Sequence, residues 1–190
     1  MHQNLVELIA DSIRRNWTRP ALADWEGNGL TYGQVADQIA YLHEVFRICQ
    51  VGPGDKIALL GRNSANWAVV WLAAVTHGAV IVPILPDFRP DDVHHIVNHS
   101  DASLFFVADA LFAPLHAASF REVRAVFSLA DFRVLHCGKD ALVRKLGETP
   151  AGPPAAGRPR LRSASGSRPS RTAAWPRSST RPGRPASPRE

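Results

Sequence analysis

Residues 57–60, 79–82 and 104–107 are short, apolar and uncharged throughout, and between them lie stretches whose apolar residues recur at helical spacing. This alternation constrains the fold more than any other feature of the chain. A strand with no polar face has to be covered on both sides. Strands that alternate with helices pair in parallel, because the helix carries the chain back across the sheet. The expected fold class is α/β, a mostly parallel sheet with helices on both faces.

Local chemistry marks the helix ends. Asn4 and Glu7 stand at capping-box spacing ahead of Leu5, Leu8, Ile9 and Ile13, which share one helical face. Residues 21–25 and 29–31 read as a short hairpin around Glu26-Gly27-Asn28. Thr31 and Gln34 repeat the capping-box spacing before the stripe Val35, Ile39, Leu42 and Phe46. The turn Gly52-Pro53-Gly54-Asp55 leads into the first apolar run. Ser64 is placed to cap a helix with Trp67, Val70, Trp71, Ala74 and Val75 as its core stripe, and Gly78 is placed to stop it. Pro90 suits a first helical position, Asp91 and Asp92 favour the positive end of the helix dipole, and Val93, Ile96 and Val97 form the buried face. Asp109 is expected to cap a further short helix, and residues 123–127 to form a fourth strand. The most apolar stretch, residues 67–85, is cut by Thr76-His77-Gly78 and by Pro83, so it reads as helix then strand and not as a membrane span.

Composition divides the chain. Residues 151–190 carry nine arginines and one acid, Glu190, with no Lys, Ile, Val or Phe. Such a segment cannot build a core. The overall charge of +5 therefore comes from the tail, since the first 150 residues hold 13 basic and 16 acidic side chains. The two cysteines, Cys49 and Cys137, show neither a CxxC spacing nor a disulfide framework, which points to a reducing, cytoplasmic setting. The expected domains are 1–148, folded, and 149–190, a disordered Arg/Pro/Ser/Ala-rich tail. Arg, Pro, Ala, Gly and Ser are what GC-rich codons give when read out of frame, and the tail is read as frameshift-derived. The alternative is a basic arm that binds nucleic acid by neutralising phosphates.

The series Thr31-Tyr32, Gly52-Pro53-Gly54-Asp55-Lys56, Gly61-Arg62-Asn63-Ser64 and His77-Gly78-Ala79-Val80-Ile81-Val82-Pro83 resembles, in order and spacing, the N-terminal section of the long-chain fatty acid CoA ligases. These are acyl-CoA synthetases of the AMP-binding, adenylate-forming superfamily, and the resemblance runs from about residue 4 to about residue 145. It implies a ligase that joins a fatty acid to the α-phosphate of ATP and then passes the acyl group to CoA, with Mg²⁺ neutralising the phosphates. Fatty acid, ATP and CoA are the partners it implies. The family's phosphate loop, approximately Tyr-Thr-Ser-Gly-Thr-Thr-Gly-x-Pro-Lys-Gly, does not occur in the sequence, nor does the catalytic lysine of its small C-terminal domain. No catalytic residue is therefore assigned, no cofactor is expected for these 190 residues alone, and they are expected to be an inactive, incomplete part of the large domain with an open strand edge and uncovered apolar surface.

One binding residue is carried over. In related CoA ligases the loop after the Gly-Ala-Val-x-Val-Pro strand lies near the nucleotide end of CoA, and here that loop contains Arg89, whose guanidinium suits a ribose phosphate. Asp91, His95 and His99, with His94 beside them, invite a metal reading. Three ligands along two turns of one helix do not converge on a tetrahedral centre, and no metal is assigned. The absence of a Gly-x-Gly-x-x-Gly after a strand argues against a free-standing nucleotide-binding domain.

Overall fold

The computed structural model describes residues 4–147 apart from Glu26 and Asn28. The chain divides into two units, Met1–Arg160 and Leu161–Glu190, and every described residue belongs to the first. The segment 149–190, with the frameshift and nucleic-acid readings attached to it, lies outside the described residues.

Helix α1 (Leu5–Arg15) begins with the Asn4/Glu7 capping box in both directions. A small antiparallel hairpin follows, β1 (Pro20–Ala23) and β2 (Gly29–Thr31). Helix α2 (Tyr32–Ile48) starts on a second capping box: Thr31 Oγ1 accepts from the Gln34 N–H at 3.3 Å, and Gln34 Oε1 accepts from the Thr31 N–H at 2.8 Å. Gly33 is required here by close approach, since a Cβ would stand 2.7 Å from the Trp17 indole. Strand β3 (Lys56–Leu60), helix α3 (Ala65–His77), strand β4 (Val80–Ile84), helix α4 (Pro90–His99) and strand β5 (Ala102–Val107) then alternate as the pattern requires. Ser64 caps α3 and Gly78 ends it at φ 84°, in the left-handed region open to glycine. Pro90 opens α4. Short helix α5 (Asp109–Phe112), strand β6 (Ala125–Ser128), strand β7 (Val134–Cys137) and helix α6 (Asp140–Gly147) complete the described chain.

The main sheet has the order β4-β3-β5-β6-β7, parallel except for β7, which pairs antiparallel with β6. Alternation along the inner strands sends side chains to two layers. Ala58, Leu60, Phe105, Val107 and Val126 pack with Val93 and Val97 of α4 and with Leu115 and Phe120. On the other face, Phe46 of α2 meets Phe106 edge-on at 6.2 Å and Phe106 stacks on Phe127 at 5.0 Å. Helices α2 and α3 are tied by His43, whose Nε2 donates to the Ala73 carbonyl at 3.0 Å; burial holds this imidazole below its ordinary pKa. His77 donates from Nε2 to the Val51 carbonyl at 2.9 Å and packs against Phe46, as a helix-end residue should.

Three expectations need correction. Leu5 and Leu8 of the α1 stripe are 52% and 49% exposed; of that stripe the helix buries Ile13, together with Ala10. In α3 the buried line is Ala65, Val69, Val70, Ala73 and Ala74, and Trp67 and Trp71 are only half-buried. This helix is apolar on nearly every side, so periodicity could not choose its inner face. The third correction is β4, expected over 79–82 as a buried strand: it runs Val80–Ile84 at the end of the sheet, with Val80 and Pro83 exposed. Among the described residues β4 has no second neighbour, and Val80, Leu85 and Phe88 beside it are 49%, 65% and 44% exposed.

Candidate functional site

In open α/β sheets ligands are received where the strands end at their carboxyl side. Four segments meet that rim: residues 61–64 after β3, 85–89 after β4, 108–109 after β5 and 129–131 after β6. The chain is drawn tight at Gly61, where a Cβ would stand 2.6 Å from Leu129 Cδ1. Asn66 Nδ2 donates to the Leu129 and Ala130 carbonyls at 2.7 and 2.9 Å, and Asp24 Oδ1 accepts from the Ala65 N–H at 2.7 Å. The first turn of α3 is thereby fixed to the hairpin and to the loop after β6.

Asp109 does not cap α5, whose N-cap is Ala108. Its carboxylate accepts from the fully buried Ser128 hydroxyl at 2.5 Å and pairs with Arg133, which also binds both oxygens of Asp131 at 3.0 Å. The Ser128 bond and then the Arg133 guanidinium hold Asp109 below the usual carboxylate range. Ser128 Oγ accepts from the Ala130 N–H at 3.0 Å. Its proton is given to a carboxylate, and no imidazole takes part, so the arrangement shapes the loop and does not activate a nucleophile. Sequence reasoning missed this network. The available sign was a polar residue just after each of two apolar strands.

Arg89 stands exposed at the N-cap of α4 and makes no capping bond with its side chain. It follows the end of β4 by five residues, whereas Ser128 ends β6, and β3 and β5 stand between those two strands in the sheet. The rim thus has a cross-linked side and an open side. The residues weighed for a metal diverge: His94 Nε2 accepts from the His116 N–H at 3.1 Å and its ring stacks on Phe120 at 4.6 Å, whereas His95 stacks on His99 at 5.7 Å. Among the described residues no group of three or more His, Cys, Asp or Glu is placed to hold a metal ion.

The family described as AMP-binding enzyme matches residues 9–162. The chain belongs to that family. A relative named "Probable CoA ligase CCL6", from Humulus lupulus, is 30% identical over 111 residues, covering 54% of this chain and 17% of its own length. The fatty acid–[acyl-carrier-protein] ligase ScoC of Streptomyces coeruleorubidus is 28% identical over 107 residues, covering 56% of this chain and 20% of its own length. Among solved structures, the anthranilate CoA ligase AuaEII in complex with anthranoyl-AMP superposes with a TM-score of 0.61 at 20% identity, over 67% of this chain and 25% of that one. The chain therefore spans a fifth or less of these two curated relatives and a quarter of the solved enzyme, and at that identity the structural likeness establishes the fold. Among the described residues no helix is long and apolar enough to cross a membrane.

Proposed function

We propose that these residues are the N-terminal scaffold of a cytoplasmic, ATP-dependent ligase that activates a fatty acid. The observation that carries this reading is the AMP-binding enzyme match across residues 9–162. In such a reaction the fatty acid carboxylate attacks the α-phosphate of ATP and releases pyrophosphate. A thiol then attacks the acyl carbon and AMP leaves. The fatty acid is favoured by the ordered landmarks from Thr31 to Pro83 and by the relative named as a fatty acid ligase. CoA is the thiol we propose, since the open side of the rim presents Arg89 outside every ion pair formed among the described residues.

The described residues do not fit Mg²⁺ or the ATP phosphates: they bring no three metal ligands together, and the sequence contains no loop rich in glycine and threonine that would face a triphosphate. Within the proposal they therefore supply the sheet, its rim and one contact to CoA, and the 190 residues alone form no acyl-adenylate. The test has two arms. Purified protein given ATP, Mg²⁺, palmitate and CoA is expected to release no pyrophosphate above background; release that scales with this protein overturns the scaffold reading. In the second arm CoA and dephospho-CoA are compared by NMR titration. CoA is expected to bind about threefold or more tightly, and Arg89→Ala to erase the difference. Equal binding by both ligands removes the Arg89 contact.

A further inference from the structure

Helix α4 is held to the chain that follows α5 by two side chains, and only one of them titrates. His94 Nε2 accepts from the His116 N–H at 3.1 Å. Four residues on, Asn98 Nδ2 donates to the Ser119 carbonyl and Asn98 Oδ1 accepts from the Arg121 N–H, each at 2.9 Å. The His94 ring also stacks on Phe120 at 4.6 Å, and Phe120 meets Phe105 of β5 edge-on at 5.4 Å, so this tie rests directly on the core. Farther along, Arg124 Nη1 donates to the Cys49 and Gln50 carbonyls at 2.8 and 2.7 Å. The downstream end of the segment is thereby fixed.

A backbone N–H can only donate, so the contact requires a bare Nε2 and leaves the proton of the neutral ring on Nδ1. That nitrogen is buried and meets no acceptor among the described residues. A second proton would turn Nε2 into a donor aimed at another donor, and would place a charge on a half-buried ring packed against Phe120. The contact and the imidazolium exclude each other. Two titratable groups act on the ring: His116, whose own ring lies nearly parallel at 6.3 Å, opposes a positive charge there, and Asp91, one turn earlier on α4, favours one. Strand β5, behind Phe120, carries no titratable side chain. Burial and then His116 hold His94 below its ordinary value of 6.5, and Asp91 offsets part of this. The tie is therefore fully present above that value and is lost as pH falls through the folded one. Asn98 keeps its bonds throughout, since an amide does not titrate.

We propose that His94 is a pH-sensitive latch: a neutral ring holds the first half of α4 to His116, and a protonated ring releases it while Asn98 retains the second half. The end released is the one that carries Arg89, and the inference does not depend on what Arg89 binds. In the test, the His94 ring and the His116 amide of the full 190-residue protein are followed by NMR from about pH 8 down to about pH 5, a range that spans the ordinary histidine titration. The ring is expected to gain its proton within that range, with a midpoint below 6.5. As it does, the His116 amide should lose about tenfold or more of its protection from hydrogen exchange, corrected for the exchange rate of a free amide, while the Arg121 amide keeps its own. His94→Gln puts an acceptor that does not titrate where Nε2 stands, so protection should persist at every pH. His94→Phe keeps the stacking without the acceptor, so protection should be low at every pH. His116→Asn keeps the backbone N–H and removes the neighbouring ring, which should raise the His94 midpoint. A His116 amide still protected after His94 has gained its proton, an unchanged pH dependence in His94→Gln, a ring still neutral at about pH 5, or a midpoint at or above 6.5 would each overturn the proposal.

Discussion

Strand β4 has no polar residue and β5 has one, Ser103, yet all six positions of β5 are buried while β4 leaves Val80 and Pro83 in solvent. Composition did not separate them. What differs is position in the sheet: among the described residues β5 has a neighbour on each side, and β4 has only β3. The strand ends follow the same division. Near β6 the rim is cross-linked through Asp109, Ser128 and Arg133, and beside β4 it ends in exposed Leu85, Phe88 and Arg89. An apolar strand thus reports that it belongs to a sheet, and the pairing order decides how much of it the sheet covers. Pro83 agrees with an edge position, since a residue without an N–H is tolerated where a strand lacks a second partner.

The contrast can be broken by substitution. The largest loss is expected at the centre: Phe105→Ala empties a site with no exposure, packed edge-on against Phe120 at 5.4 Å, and should cost about 3–5 kcal/mol in urea unfolding. Ile57 and Ile81 are register partners on β3 and β4, the first fully buried and the second half-buried. Ile57→Ala should cost about 2–5 kcal/mol and Ile81→Ala less than half as much. Equal losses would mean that β4 is covered in solution.

The rim supplies a pH arm with a smaller effect. Asp109 sits below its ordinary value of 3.8 in the folded chain, so its contribution is fully present above that value and is lost as pH falls through the folded value. The urea midpoint of the parent protein should therefore fall more steeply than that of Asp109→Asn below about pH 4. Parallel curves would show that the network is not formed. The smallest change in stability, within about 0.5 kcal/mol, is expected for Val80→Lys, although light scattering should show less self-association because a charge now stands on the open edge.

What the sequence disclosed was local. Capping boxes at Asn4 and Thr31, the Ser64 cap, the Gly78 stop and the Pro90 start all rest on residues within a turn of one another, and all are found. Helix α2 also buries its full stripe, because its polar residues leave only one apolar face. The face of α3, the edge position of β4 and the reversal of β7 were not legible, since each is settled by residues far apart in sequence. The same holds for the site. Arg89 could be placed at a strand-to-helix loop, whereas Asp109 finds Ser128 19 positions away and Arg124 reaches Cys49 across 75. Nothing at Asp109 or Arg124 alone announces those partners.

The reversal at β7 has a consequence for how the chain is routed. Phe132, in the left-handed region at φ 62° and buried against Phe106, turns the backbone so that Val134 lies beside Phe127 and Cys137 beside Ala125. The chain reaches the carboxyl rim at Ser128 and is then led back to the amino rim, where α6 begins. Any later residue that joins the carboxyl rim must recross the depth of the sheet, about 15 Å, which takes at least five extended residues. Such a rim is assembled through contacts of high sequence separation, the kind that slow folding. The turn at Phe132 therefore sets the routing: the chain after Cys137 starts from the amino rim, and the contacts described at the carboxyl rim are all made by residues between Asp24 and Arg133.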